Sequence, residues 1–150
     1  MTPEPVREYA EITMSTERRQ ACRAAIARFR EACEHEPLVV AAWLGGSFAA
    51  GRATETSDVD VYAVSDERDY GLLWSSRYTF VEAMGRSVRR DDHPNFERLG
   101  FDLVHFELDD GVSGEIAFGH TGNFLSLHGG PHEVLLDRIG LLEDVSFPLL

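Results

Sequence analysis

The sequence predicts an α+β (α/β) fold, a mixed β-sheet flanked by helices. Three observations carry that expectation. Residues 15–35 repeat apolar side chains at helical spacing: Cys22, Ala25, Ile26, Phe29 and Cys33. Two short apolar runs, 38–44 and 59–64, flank a glycine-rich turn. Residues 101–118 alternate apolar and polar on either side of Asp109-Asp110-Gly111, a hairpin signal.

The elements follow in order. The first 14 residues hold proline and glutamate and are expected to be loose. Ser15 or Thr16 caps the first helix, and Pro37 ends it. The strand 38–44 leads into Gly45-Gly46-Ser47, and Phe48 to Arg52 reads as a short helix. After the strand 59–64 comes a polar turn, Ser65 to Asp69. Residues 70–84 read as one helix burying Tyr70, Leu73, Trp74, Phe80, Val81 and Met84. Arg86 to Phe96 is polar and irregular, with room for a short strand. Pairing across the Asp-Gly turn sets 105 opposite 115 and 102 opposite 118. One face of that hairpin then carries Val104, Phe106, Leu108, Val112, Ile116 and Phe118, with Asp102 at its end. The other carries Leu103, His105, Glu107, Ser113 and Glu115, and is polar. Gly129-Gly130-Pro131 forces a break before a last strand, His132 to Asp137. The apolar tail Phe147-Pro148-Leu149-Leu150 is expected to be exposed, as a homodimer contact, a partner contact or the mark of a truncated chain.

The chemistry concentrates in residues 45–60, GGSFAAGRATETSDVD. Asp58 and Asp60 are two apart at the start of a strand, so both project from one face with Cα atoms about 6.5 Å apart. Two converging carboxylates repel unless a cation lies between them. Hard oxygen ligands favour Mg²⁺, which commonly takes one or two carboxylates plus substrate phosphates. Gly45 and Gly46 let backbone N–H groups approach phosphate oxygens, Ser47 adds a hydroxyl, and Arg52 adds charge.

An apolar strand, Leu44-Gly45-Gly46-Ser47, a spacer and Asp58-Val59-Asp60 resemble the nucleotidyltransferase superfamily that includes DNA polymerase β. The flavour is similar to small bacterial members of the streptomycin adenylyltransferase-like and minimal nucleotidyltransferase types. The resemblance covers roughly residues 38–140, strongly at 44–61. It implies transfer of a nucleoside monophosphate from a nucleoside triphosphate, with ATP expected, to a small hydroxylated acceptor, with pyrophosphate released and two Mg²⁺ ions engaged. It also implies a third carboxylate on a later strand. Periodicity places Glu115 on the polar hairpin face and Asp102 at the end of the apolar one; a register slip of one residue would exchange them. Glu where the family more usually has Asp leaves metal binding and general-base work both open. His105, across the hairpin from Glu115, is expected to be a cleft-wall histidine hydrogen-bonded to that carboxylate; its functional reading is to orient it. Residues 1–150 read as the nucleotidyltransferase-like domain alone, without the helical acceptor-binding domain that many relatives carry. A non-catalytic or antitoxin-like regulatory module on the same fold is the alternative.

Composition bounds the rest. The net charge is −12, and every basic residue is arginine. Without lysine there is no P-loop Gly-Lys-Ser/Thr and no Schiff-base amine. The acidic balance disfavours a tightly held nucleic acid, whose affinity comes mainly from phosphate neutralisation. Cys22 and Cys33 are eleven residues apart on one helix, about 16 Å, too far for a disulfide. That usage fits a reduced, cytoplasmic setting, and no apolar run reaches membrane-spanning length. His128 and His132 are four apart, but Gly-Gly-Pro between them precludes the helix that would align them on a zinc.

Overall fold

The structure is a computed structural model describing residues 14–95 and 100–148. Expectations for the first thirteen residues, Phe96 and the last two leucines lie outside the described residues. The chain forms a six-stranded mixed sheet in the order β3-β4-β5-β2-β1-β6. The elements run α1 (Thr16–Glu34), β1 (Ala41–Leu44), α2 (Gly46–Ala49), β2 (Val59–Ser65), α3 (Tyr70–Ser75), α4 (Arg77–Met84), β3 (Ser87–Pro94), β4 (Asp102–Leu108), β5 (Ser113–His120) and β6 (Glu133–Asp137). Only β2 and β5 pair in parallel; every other neighbour is antiparallel.

α1 forms where its stripe of Cys22, Ala25, Ile26, Phe29 and Cys33 can be buried. Ser15 caps it by accepting from Arg18 N–H at 3.2 Å. At the other end Arg138 donates to the carbonyls of Cys33 and Glu34, satisfying orphan acceptors where a cation suits the helix dipole. Both cysteines are free and fully buried, and burial raises both thiols.

Strand alternation splits the sheet into two faces. Val59, Val61 and Ala63 of β2 join Val104, Phe106, Ile116 and Phe118 beneath α1 and α4 in the main core. The opposite face carries a smaller cluster of Ala41, Trp43, Val64, Leu127, Leu142 and Phe147. The helix face is sealed. The opposite face is covered only in part, and that leaves room for a site.

Four expectations need correction. The first strand begins at Ala41, because a turn in which Val39 N–H donates to Glu36 O occupies the preceding residues. The helix expected over 70–84 breaks at Ser76. There Ser75 and Ser76 hydroxyls donate back to Gly71 and Leu72 carbonyls, an alternative partner that weakens helix continuity. The segment read as irregular with room for a short strand holds an eight-residue one, β3. Its polar pattern is tolerated because it is a sheet edge, where charge and a terminal proline are ordinary. Finally, Phe147 is not exposed. It is 4% accessible, stacked on Trp43 with ring centroids 5.1 Å apart, so the described part of the tail closes over its own sheet.

The hairpin register agrees with the sequence reading: His105 faces Glu115 and Asp102 faces Phe118. Asp102 is buried on the helix face, where Tyr70 Oη donates to its Oδ2 and also reaches Phe118 O at 3.1 Å. Burial and that bonding push the Tyr70 phenol far up. Tyr70→Phe would remove a donor from a buried carboxylate, so a loss of about 1–3 kcal/mol is expected in denaturant unfolding. An unchanged midpoint and slope would show that the pair contributes nothing.

Candidate active site

β2 delivers Asp60 to the open face, with Asp58 just before the strand. Strand β5 lies parallel beside it, and Asp60 sits directly opposite Glu115. Adjacent strands run about 4.8 Å apart, so two carboxylates from distant parts of the chain become neighbours. Burial, then the charges of Glu115 and Asp58, push the Asp60 carboxyl up to about 6 against a slight opposing pull from His105. Asp58 is exposed and accepts from Ser113 Oγ at 2.7 Å. Glu115 Oε1 lies 3.3 Å from His105 Nε2.

The Gly-Gly-Ser turn packs against this row. Gly45 N–H donates to Asp60 O at 2.9 Å. Gly46 has φ +63°, and a Cβ there would lie 2.3 Å from Asp60 Oδ2. A single helical turn follows, starting at Gly46 rather than at Phe48 and ending at Ala49. The backbone of that turn therefore touches the carboxylate without an intervening side chain.

Three concavities are lined by residues of this region. A cleft of 570 Å³ lies between Gly46, Ser47, Ala50 and Arg52 on one wall and Gly129, Gly130 and Pro131 on the other. A cleft of 730 Å³ is lined from Asp58 and Ser113 across His105 and Glu107 to Arg89, Asp91 and His93 of β3. A pocket of 160 Å³ is lined by Asp60 and Glu115 with Tyr62, Phe101, Leu103, Ala117 and Leu127.

The oxygen donors suit Mg²⁺, and the raised Asp60 carboxyl marks a place where added positive charge would be favourable. The arrangement is not a closed cage. Among the described residues no three acidic, histidine or cysteine side chains are grouped to enclose an ion. Asp58 turns to Ser113 and Glu115 to His105, so substrate oxygens would have to supply the remaining ligands.

The structure thus gathers Gly45, Gly46, Ser47, Asp58, Asp60 and Glu115 at the junction of β1, β2 and β5, with Arg52 on the rim of the neighbouring cleft. Asp102 lies on the opposite face. Sequence reasoning set His128 aside after a zinc check and gave the β3 side chains of the large cleft no role. His128 sits in a loop without periodicity, and β3 is too polar to announce itself as a strand.

Comparison with known proteins agrees with this geometry. The nucleotidyltransferase domain family matches residues 26–107, more than half of the chain. No curated protein matches it. Among solved structures, Cid1 in complex with the UTP analogue UMPNPP is similar at a TM-score of 0.53 and 20% identity, covering 82% of this chain and 36% of that one. The Cid1 poly(U) polymerase structure is similar at a TM-score of 0.51 and 18% identity, covering 79% of this chain and 35% of that one. This chain therefore spans about a third of the structures it resembles, and at that identity they speak for the fold. With the sheet order, the Gly-Gly-Ser turn and the paired aspartates in place, the chain belongs to the nucleotidyltransferase domain family and has its α+β fold.

Proposed function

We propose that this domain binds a nucleoside triphosphate with magnesium and transfers the nucleoside monophosphate to a small hydroxylated acceptor, releasing pyrophosphate. The observation that carries the reading is the in-register pair Asp60 and Glu115, with Asp58 beside them and Gly46 against Asp60. In this reading the triphosphate occupies the cleft between Gly46-Ser47-Arg52 and Gly129-Pro131. There Ser47 Oγ donates to it and the Arg52 guanidinium offsets its charge. Asp58 and Asp60 would hold Mg²⁺, which when bound neutralises phosphate charge during displacement at phosphorus.

The acceptor enters from the large cleft that Asp58 lines. Its hydroxyl attacks the α-phosphorus in line, the bond to the pyrophosphate oxygen breaks, and Glu115 takes the hydroxyl proton. The walls of that cleft favour a neutral or cationic acceptor over a polyanion. Asp58, Asp91, Asp92 and Glu107 line it with Arg89, and Arg89 and Arg77 are already paired with Asp91 and Asp92. The Cid1 structures carry a UTP analogue or the product ApU, whereas the sequence resemblance implies ATP, so all four nucleotides need testing.

Calorimetry of each Mg-nucleotide on the wild type and on Asp58→Ala/Asp60→Ala tests the reading. Magnesium-dependent binding that weakens at least about tenfold in the double variant, a loss of about 1.4 kcal/mol, is the expected result. Binding without pyrophosphate release against any hydroxylated amine would favour a regulatory module on this fold. No binding by the folded wild type would overturn the proposal. No helix among the described residues is long and apolar enough to cross a membrane.

A further inference from the structure

We infer that His128 is a positioning residue that sets the width of the triphosphate cleft; the inference rests on the nucleotide reading above. His128 is 5% accessible and lies far from the paired aspartates in sequence. Its ring fills the space that a side chain at position 45 would need: a Cβ on Gly45 would lie 2.6 Å from His128 Cε1 and 2.8 Å from Tyr62 Cε1. Gly45 is the N-cap of α2 and offers no side-chain cap of its own. The Gly-Gly-Ser wall therefore rests on two rings rather than on its own side chains.

The opposite wall hangs from the same imidazole. His128 Nε2 lies 2.8 Å from Pro131 O. A carbonyl oxygen can only accept, so Nε2 carries the proton. In the neutral ring Nδ1 then keeps its lone pair and accepts from Tyr62 Oη, 3.1 Å away. Tyr62 is two residues beyond Asp60 on β2 and stacks on Trp43 with centroids 5.0 Å apart. One ring thus joins the carboxylate strand, the Gly45 turn and the Gly129-Pro131 loop. Phe147 closes the far side, 5.0 Å from the His128 ring, and Gly130 N–H donates to Pro148 O at 3.2 Å.

Two directional bonds fix the ring, so the gap between the walls is built in before nucleotide arrives. Loss of either bond should widen or loosen the cleft without touching the carboxylates. The effect belongs in nucleotide binding rather than in the chemical step.

The test separates the two bonds. His128→Asn keeps an acceptor near Nδ1 for Tyr62 and loses the link to Pro131. His128→Gln keeps a donor near Nε2 for Pro131 and loses the acceptor. Tyr62→Phe removes one hydroxyl at nearly constant volume. Each should raise KM for the nucleotide about three- to tenfold with kcat within about threefold of wild type. His128→Phe, which breaks both, should exceed either single loss. Nitrogen-15 NMR of the wild-type ring should show the Nε2–H tautomer at neutral pH, a readout independent of turnover. KM unchanged in both Tyr62→Phe and His128→Asn, kcat falling with KM constant, or the Nδ1–H tautomer would each overturn the inference. Should the His128 variants fail to fold, Tyr62→Phe and the tautomer decide it. A wild type that binds no nucleotide while showing the expected tautomer would sink the nucleotide reading, and with it the cleft role.

Discussion

Asp60→Asn is expected to abolish nucleotidyl transfer and to stabilise the protein at neutral pH. The two effects have one cause. Asp60 is half-buried beside Glu115 and near Asp58, and its carboxyl titrates at about 6 in the folded state against 3.8 ordinarily. A folded-state pKa above the unfolded value means that folding favours the protonated form. The favourable contribution is complete below about pH 4 and is lost as pH rises through about 6. Above that, the ionised group costs stability. The shift corresponds to at most about 3 kcal/mol, and partial solvent screening reduces this to about 1–2 kcal/mol. Asparagine keeps the shape and removes the charge, so its unfolding free energy should lack the decline between pH 4 and 6. Denaturant melts across pH 4–8 give the measurement. A variant equally or less stable than wild type at pH 7.5 would refute the electrostatic account. Activity should fall by about three orders of magnitude, the scale of several kcal/mol of lost charge stabilisation in the transition state. The retention of a carboxylate that destabilises the empty fold is itself understandable if a cation binds there.

Gly46→Ala is the second large effect. Its φ of +63° disfavours any Cβ, and the added methyl would lie 2.3 Å from Asp60 Oδ2. Either the carboxylate swings aside or the turn moves. Backbone strain alone costs about 1–2 kcal/mol. Displacement of Asp60 should cost at least about a hundredfold in turnover, because small misplacement of a catalytic group carries penalties of that size. Gly51 supplies the control. Its φ is +73°, yet nothing lies within 4 Å of its missing Cβ. Gly51→Ala should therefore share the strain and keep the activity. Equal activity losses in the two variants would mean that strain, not contact with Asp60, governs the site.

The cleft geometry bears on what such a domain can accept. In the proposed reading the nucleotide takes the cleft of Gly46 and Pro131 and the acceptor takes the cleft of Asp58 and Ser113, so the lining of the second sets acceptor choice.

Much of this was legible in the chain itself. The stripe of α1, the β2 alternation and the β4–β5 register follow from local rules: helical period, strand period and an Asp-Gly turn that pins pairing. The Gly-Gly-Ser turn and Asp58-Val59-Asp60 are contiguous motifs, so their residues and spacing could be read directly. Strand β3 was legible only as room for a short strand, because an edge strand of charged residues lacks the apolar alternation that marks a buried one. The break at Ser76 depends on serine hydroxyls choosing carbonyls over solvent.

By itself, then, the sequence determined the periodic elements, the acidic pair and the glycine turn, because these are encoded by neighbours a few residues apart. Only the tertiary structure decided three other things. The parallel pairing of β2 with β5 set Glu115 beside Asp60, more than fifty residues away in the chain. The tail folded Phe147 onto Trp43 instead of leaving it to solvent. And a loop histidine came to rest between Gly45, Tyr62 and Pro131. Each of these is a contact between distant segments, chosen by which apolar surfaces must be buried together and which polar atoms must then find partners, and no local pattern records that choice.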